Sequence, residues 1–542
     1  MPADTFPART PQIPRDALAR LHPERLAVSH QLARAGVAAA LSLLTLASLW
    51  LRTRGLHVHY WIDEGLSVAI AQHPLSEIPH LMRQDGSPPL YYLLLHVWIG
   101  LRGSYEVATH ELSLVFALLV IPAAYWAGSS LFSRRTGLLC AALAAGAPYL
   151  TTYGQETRMY ALLALLSVIV AASFVHVFVR RRRRYLPVFV ASLTAALYTH
   201  NWALFLGLMT AVAFLLCVRE SPDDRRSLWR DGAIGFGAVA VLYAPWLPTL
   251  LFQVRHTGAP WDVAPVVWSL TQGLYSLVGG RGAAVALLFG AGAALLALRS
   301  AEDARTGILL AAKSLLLLGV GTLLVAWIGS KITPAWAIRY LAVIVGPLIL
   351  LFGLGLARAS RLGLVALALV ACFWILDPVP SSLYTKSNVA SAVAKVRPDL
   401  GPGGLVLSTQ PEQVPNLAYY LPHRFRYGTP LGAVSDPGVF DWRDALSRFR
   451  RSSVRSVLMP TIGSLAPGQR LVLVVPLRLP HSPLWMQLIN RTSTRWSNAV
   501  GHDRSFRLLA ASSANWNASG LPVRVMVFVR RGATATAGLG SL

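Results

Sequence analysis

Long apolar runs recur through residues 33–376 of this 542-residue chain and then stop, and no other feature restricts its fold as tightly. A run of about 20 apolar residues matches the thickness of a bilayer core when it is helical. Inside lipid every backbone N–H and C=O must bond within the protein, which leaves helices or closed barrels. Unbroken apolar runs without two-residue alternation select helices. Composition agrees: 54% of residues are hydrophobic, only 13% are charged, and mean hydropathy is +0.50. Soluble proteins carry roughly a quarter charged residues, so the chain reads as a polytopic membrane protein.

The formal net charge of +25 does not point to nucleic acid, because many arginines stand where apolar runs end. Arg134-Arg135, Arg180 to Arg184, the stretch 219–231, the stretch 299–305, and Arg358 with Arg361 each mark a cytoplasmic turn. The basic arm 1–32 starts in the cytoplasm and is too long before its first apolar run to be a cleaved signal peptide. Parity then fixes the crossings at about 33–51, 107–132, 136–150, 158–179, 185–199, 201–218, 232–252, 282–298, 307–328, 340–357 and 362–376, about eleven in all. The run 88–101 is short and opens on Pro88-Pro89, so it is expected to lie against the membrane without crossing it. An odd count places the C-terminal region on the same outer side as the first loop, 52–106.

That region, 377–531, is of mixed composition. Alternating strands are expected at 404–410, 470–477 and 523–531, with helices at 387–396 and 441–451. It reads as a small α/β domain with no residue that looks catalytic, followed by a disordered tail, 532–542. Cys140, Cys217 and Cys372 lie in apolar runs and suggest neither disulfides nor a thiolate metal site.

The outer loops collect the polar residues. Asp63 and Glu64 are adjacent, in WIDEG, where ionised groups near lipid are costly enough to suggest a site. Either carboxylate can serve as a base for a hydroxyl. Asp85 precedes Gly86-Ser87-Pro88-Pro89 and reads equally as a second acid or as a helix cap. A divalent ion held by Asp63 and Asp85 stays open, whereas His57, His59, His73 and His80 lack zinc spacing. Arg158, in the string YGQETRMYALL, offers a planar fork suited to phosphate, or is an interfacial arginine. Arg339, against a long apolar run, and Lys331 nearby extend a cationic patch for a lipid phosphate. Glu156, His200, Tyr60, Trp61, Tyr92, Tyr160 and Tyr340 are candidate sugar or acceptor contacts; His200 also fits a structural role, and interfacial anchoring explains many aromatics.

Six strings in this order, WIDEG, DGSPPLYYLLLH, YGQETRMYALL, LYTHNWALF, APWLPTL and AIRYLAVIVGP, resemble those of bacterial membrane glycosyltransferases of the GT-C fold. The family 39-like group of protein mannosyltransferases and aminoarabinose transferases is the most similar, over 33–376. The resemblance implies an inverting transfer of sugar, mannose or an arabinose type, from a polyprenyl-phosphate donor to a glycolipid, polysaccharide or protein acceptor. It implies the outer face of a bacterial inner membrane, with Asp63 as base, Glu64 beside it, and Asp85 at the acidic position before the paired prolines. A transporter would favour mid-membrane charges and repeated halves, which this sequence lacks; a scaffold would not need the acids and arginines together.

Overall fold

The computed structural model describes residues 23–298, 307–376, 383–401, 403–422, 425–479, 482–514 and 520–532. The arm before residue 23, the basic stretch 299–305, the boundary at 377 and the tail beyond 532 lie outside the described residues.

Among the described residues, seven helices are long and apolar enough to cross a membrane. An eighth span forms if the pair Val267–Val278 and Arg281–Leu296, bent by 83°, is counted as one. Three other expected crossings are helices of 13 (Arg134–Gly146), 14 (Leu186–Thr199) and 17 (Ser360–Leu376) residues. At 1.5 Å per residue these reach only about 20–26 Å, which is why the sequence count of about eleven exceeds the number of long spans. The run expected to lie against the membrane is the 13-residue helix Leu90–Arg102, with Tyr91, Tyr92 and Leu95 buried.

One crossing sets the frame of the site. The spans Tyr160–Val179 and Ile338–Arg358 are both largely buried within the protein, and they meet at Gly346. A Cβ there would lie 2.2 Å from the Val168 backbone nitrogen, and Gly346 N–H donates to Ser167 Oγ at 2.9 Å. Membrane helices pack closely through such small residues. Arg158 stands just before the first span and Arg339 is the second residue of the other, so this contact fixes the two arginines relative to each other.

The C-terminal region forms a six-stranded sheet in the order β3-β2-β1-β4-β6-β5. The strands are β1 (Leu405–Ser408), β2 (Arg426–Thr429), β3 (Gly432–Val434), β4 (Arg470–Pro476), β5 (Phe506–Ala511) and β6 (Val523–Arg530). β1 runs parallel to β2 and β4, and the remaining pairs are antiparallel. Strand side chains alternate between faces, and here both faces are apolar. Val406, Val472, Val474, Val525 and Val527 pack against helices Val389–Val396 and Val414–Tyr420. Leu405, Leu407, Leu471, Leu473 and Phe528 pack on the other face with Leu458, Ile462 and Trp496. The expected strands and the two expected helices are present. β2, β3, β5 and helix Leu484–His502 were not anticipated; β2 and β3 are only four and three residues long, too short for a periodic signal.

The sheet domain docks on the first loop. Tyr420 Oη accepts from Tyr60 N–H at 2.8 Å, Asn416 Nδ2 donates to the Tyr60 carbonyl at 3.2 Å, and Trp442 N–H donates to the Gln84 carbonyl at 3.1 Å. Trp442 also stacks on Trp261, at 4.3 Å between ring centres.

Candidate active site

Helix Ile62–Ala71 begins from the extended Trp61, with both acids in its first turn, where the helix dipole favours negative charge. Glu64 turns inward. It is fully buried, and its Oε1 accepts from Thr157 N–H at 2.9 Å and meets His110 Nε2 at 2.7 Å. Its Oε2 forms an ion pair with Lys386 at 2.6 Å. The other ring nitrogen of His110 faces the Leu56 carbonyl at 2.8 Å, so both nitrogens point at oxygen acceptors. Burial pushes the Glu64 carboxyl up, but Lys386 and His110 outweigh it and bring it down to about 2. Glu64 is a saturated anchor.

Asp63, one residue earlier, keeps its carboxylate partly open, at 23% exposure. Its Oδ2 lies 3.6 Å from Arg339 Nη2. Arg158 Nη1 donates to the Asp63 carbonyl at 3.3 Å, to Ser67 Oγ at 2.8 Å and to Tyr92 Oη at 3.1 Å. Both arginines have an Nε–H that is buried without a partner among the described residues, and so does the Tyr160 hydroxyl. Buried polar groups are rarely left unsatisfied. Three such donors beside two guanidinium charges have the chemistry to hold an anion.

Aromatic rings and two further groups surround these donors. The Arg339 guanidinium lies 5.5 Å from the Trp61 ring centre and 5.3 Å from that of Tyr340. His200 is buried, its Nδ1 accepting from Trp202 N–H at 3.1 Å and its ring 4.7 Å from Tyr340. Burial, with Arg158 and Arg339 nearby, pushes its imidazole down to about 3, so it is neutral. Glu156 is buried and accepts from Trp61 Nε1 at 2.8 Å. Burial and the nearby Glu64 push the Glu156 carboxyl up to about 7.

Asp85 ends helix Ile78–Asp85, half-buried. Burial raises its carboxyl above the ordinary value, against the opposing charge of Arg158. Among the described residues no three His, Cys, Asp or Glu side chains come together as a ligand set. With two carboxylates, no third such ligand among the described residues, and Arg339 3.6 Å from one of the two, these residues do not make a divalent-ion ligand set, and no step is derived through one.

Two candidates sit elsewhere. Lys331 is exposed at the end of helix Thr322–Ile332, its ammonium 4.9 Å from the Trp327 ring centre. A lysine that does reach one of the acids, Glu64, is Lys386, from the region expected to hold no chemistry. Its signal was scarcity, as one of four lysines in a chain otherwise basic through arginine. Tyr60 is fully buried, with its hydroxyl engaged by Thr109 Oγ1 at 2.6 Å and the Ser104 carbonyl at 3.1 Å, so it braces the loop and offers a ligand no free hydroxyl.

Long apolar helices, two arginines brought to one face, and a sheet domain closed over that face define a multi-pass membrane protein of the GT-C fold. The chain is similar to ArnT from Cupriavidus metallidurans in the apo state, with a TM-score of 0.61 and 16% identity over 92% of this chain and 98% of that one. The same protein bound to undecaprenyl phosphate gives a TM-score of 0.54 and 14% identity over 91% and 97%. The archaeal oligosaccharyltransferase AglB from Archaeoglobus fulgidus, in complex with an inhibitory peptide and a dolichol-phosphate, gives 0.51 and 12% over 82% and 70%. No family model matches the chain, and no curated protein matches it.

Proposed function

We propose that the chain is an inverting glycosyltransferase that moves a sugar from a polyprenyl-phosphate donor to an acceptor hydroxyl at the outer face of the membrane. The observation that carries this reading is the partly open carboxylate of Asp63 beside the free N–H donors of Arg158 and Arg339. The leaving group of such a donor is already an anionic phosphate, so the reaction needs cationic stabilisation and a base, and no general acid. The acceptor oxygen bonds to the anomeric carbon as the carbon–oxygen bond to phosphate breaks. The electron pair leaves with the polyprenyl phosphate, and the hydroxyl proton passes to Asp63. Arg158, Arg339 and Tyr160 hold the phosphate, and Trp61, Tyr340 and His200 wall the sugar. Tyr92 and Ser67 orient Arg158, and Glu64 fixes the loop.

A small apolar cavity of about 40 Å³, lined by Leu143, Leu150, Leu277, Val345, Ile349 and Trp374, lies within the membrane helices. Tyr149 also lines it and donates its hydroxyl to the Arg339 carbonyl at 2.5 Å. ArnT bound to undecaprenyl phosphate and AglB with dolichol-phosphate share the fold. The domain division follows: 33–376 as catalytic membrane module and 377–531 as an outer-face domain.

Transfer to endogenous acceptors from labelled polyprenyl-phosphate mannose, and in parallel from the arabinose-linked donor, tests the reading and names the sugar. Wild-type protein should transfer one of them, with inverted anomeric configuration. Asp63→Asn should lose roughly 10²–10⁴-fold in rate, the span of a positioned base. Full turnover by Asp63→Asn removes the proposed base.

A further inference from the structure

The membrane half of the site offers unpartnered donors, and the sheet domain offers the opposite. In the segment after β1, Gln410 Oε1, Glu412 Oε2, Gln413 Oε1 and Asn416 Oδ1 are buried without a hydrogen-bond partner among the described residues. These residues are 1%, 5%, 1% and 0% exposed. The amide orientations at two positions are set by what the nitrogens do. Gln410 Nε2 donates to Glu412 Oε1 at 3.2 Å, and Asn416 Nδ2 donates to the Tyr60 carbonyl at 3.2 Å. Their free oxygens are therefore acceptors. Glu412 Oε1 also accepts from Trp485 Nε1 at 3.1 Å, which leaves Oε2 as its free atom.

The segment leaves the C-terminal end of β1, a strand paired in parallel on both sides, where open α/β sheets bind ligands. It abuts the acidic helix: a Cβ on Gly65 would lie 2.7 Å from Asn416 Cα and 2.8 Å from its Oδ1. Gly65 is two residues from Asp63, and burial raises the Glu412 carboxyl above its ordinary value, with Asp63 adding a small contribution in the same direction. A free oxygen on a carboxyl so raised serves as acceptor or donor. A hydroxyl complements both states, whereas a peptide N–H complements only one.

We propose that Gln410, Glu412, Gln413 and Asn416 form a saccharide subsite that holds a sugar by its hydroxyls against the catalytic helix. The subsite rests on the glycosyl-transfer reading and adds to it a specificity-determining role for the sheet domain. The sugar is either the donor's own or one belonging to a carbohydrate acceptor, and the two sources present the same hydroxyl chemistry.

Binding, measured apart from turnover, tests this with full-length protein in detergent. The probes are undecaprenyl phosphate, undecaprenyl-phosphate mannose or its arabinose counterpart, and a mannan or arabinan oligosaccharide. Gln413→Met, close in shape but without the oxygen, should weaken saccharide binding roughly three- to tenfold, the range for one hydrogen bond. Undecaprenyl phosphate should bind unchanged, and Gln413→Glu should restore part of the loss. A loss confined to the lipid-linked sugar assigns the subsite to the donor, and a loss confined to the oligosaccharide assigns it to the acceptor. Glu412→Gln, which keeps both oxygen positions filled, guards against a folding defect in the first variant. Wild-type protein that binds neither saccharide, or folded variants that bind all probes like wild type, overturns the subsite. Because no arm requires turnover, absence of transfer leaves the subsite result readable.

Discussion

Replacing Lys386 by methionine should destabilise the protein through a group 322 positions away, Glu64. Methionine keeps much of the volume but removes the charge 2.6 Å from the buried carboxylate. The magnitude follows from the carboxyl itself. From an ordinary value of 4.5 it falls to about 2 despite full burial, and each pH unit is worth 1.36 kcal/mol. Net of the cost of burial, its partners therefore contribute on the order of 3 kcal/mol at neutral pH, in line with about 3–5 kcal/mol for breaking a buried pair from one side. A depressed carboxyl stabilises above its unfolded value and loses that stabilisation as pH falls through the folded one. The gap between wild type and Lys386→Met should be full at pH 7 and should close between about pH 4.5 and 2. Equilibrium unfolding in mixed detergent micelles, run across this range, reads it directly. Adding Glu64→Gln should recover part of the loss, because the double variant leaves no charge unpaired. If Lys386→Met lies within about 1 kcal/mol of wild type at pH 7, or the two substitutions are strictly additive, the buried pair does not anchor the loop.

Three further outcomes are expected. Arg339→Ala should weaken binding of undecaprenyl phosphate by roughly 10- to 100-fold, as for a charge-assisted contact, with unchanged affinity excluding its phosphate role. Glu156 is held near pH 7 against an ordinary 4.5, so the folded state binds the extra proton and stability should fall as pH rises from about 4.5 through 7. That fall is on the order of 3 kcal/mol, and unfolding of Glu156→Gln across the same range should lack it. Gly65→Leu, driven into the Asn416 backbone, should loosen the sheet domain and raise its protease sensitivity, while the membrane helices keep their helical circular dichroism.

The membrane module was legible because lipid imposes one rule, apolar length, that can be read residue by residue. Length alone does not decide the short helices: Arg134–Gly146 and Leu186–Thr199 form where crossings are expected but are shorter than a full bilayer span. Asp63, Glu64, Asp85, Arg158, Arg339 and His200 were all nominated by residue type next to an apolar run, and the fold brings them to one face. Their division of labour was not legible. Asp63 and Glu64 have identical sequence context and differ only because successive residues on a helix point about 100° apart, one toward His110 and one toward the opening. Lys386 and Gln410 to Asn416 escaped notice because long-range docking, not local pattern, gives them their neighbours. Lys331 was nominated by proximity in sequence to Arg339, yet a helix end separates them.

The ion pair between Lys386 and Glu64 also bears on how such chains can be recombined. A sheet domain exchanged between relatives at the last membrane helix would arrive with or without a cation at that position. Without one, the recipient would carry a stranded negative charge at the root of its first loop. The domain is therefore not an interchangeable cassette, and any working chimera must bring a matched lysine or lose the glutamate that waits for it.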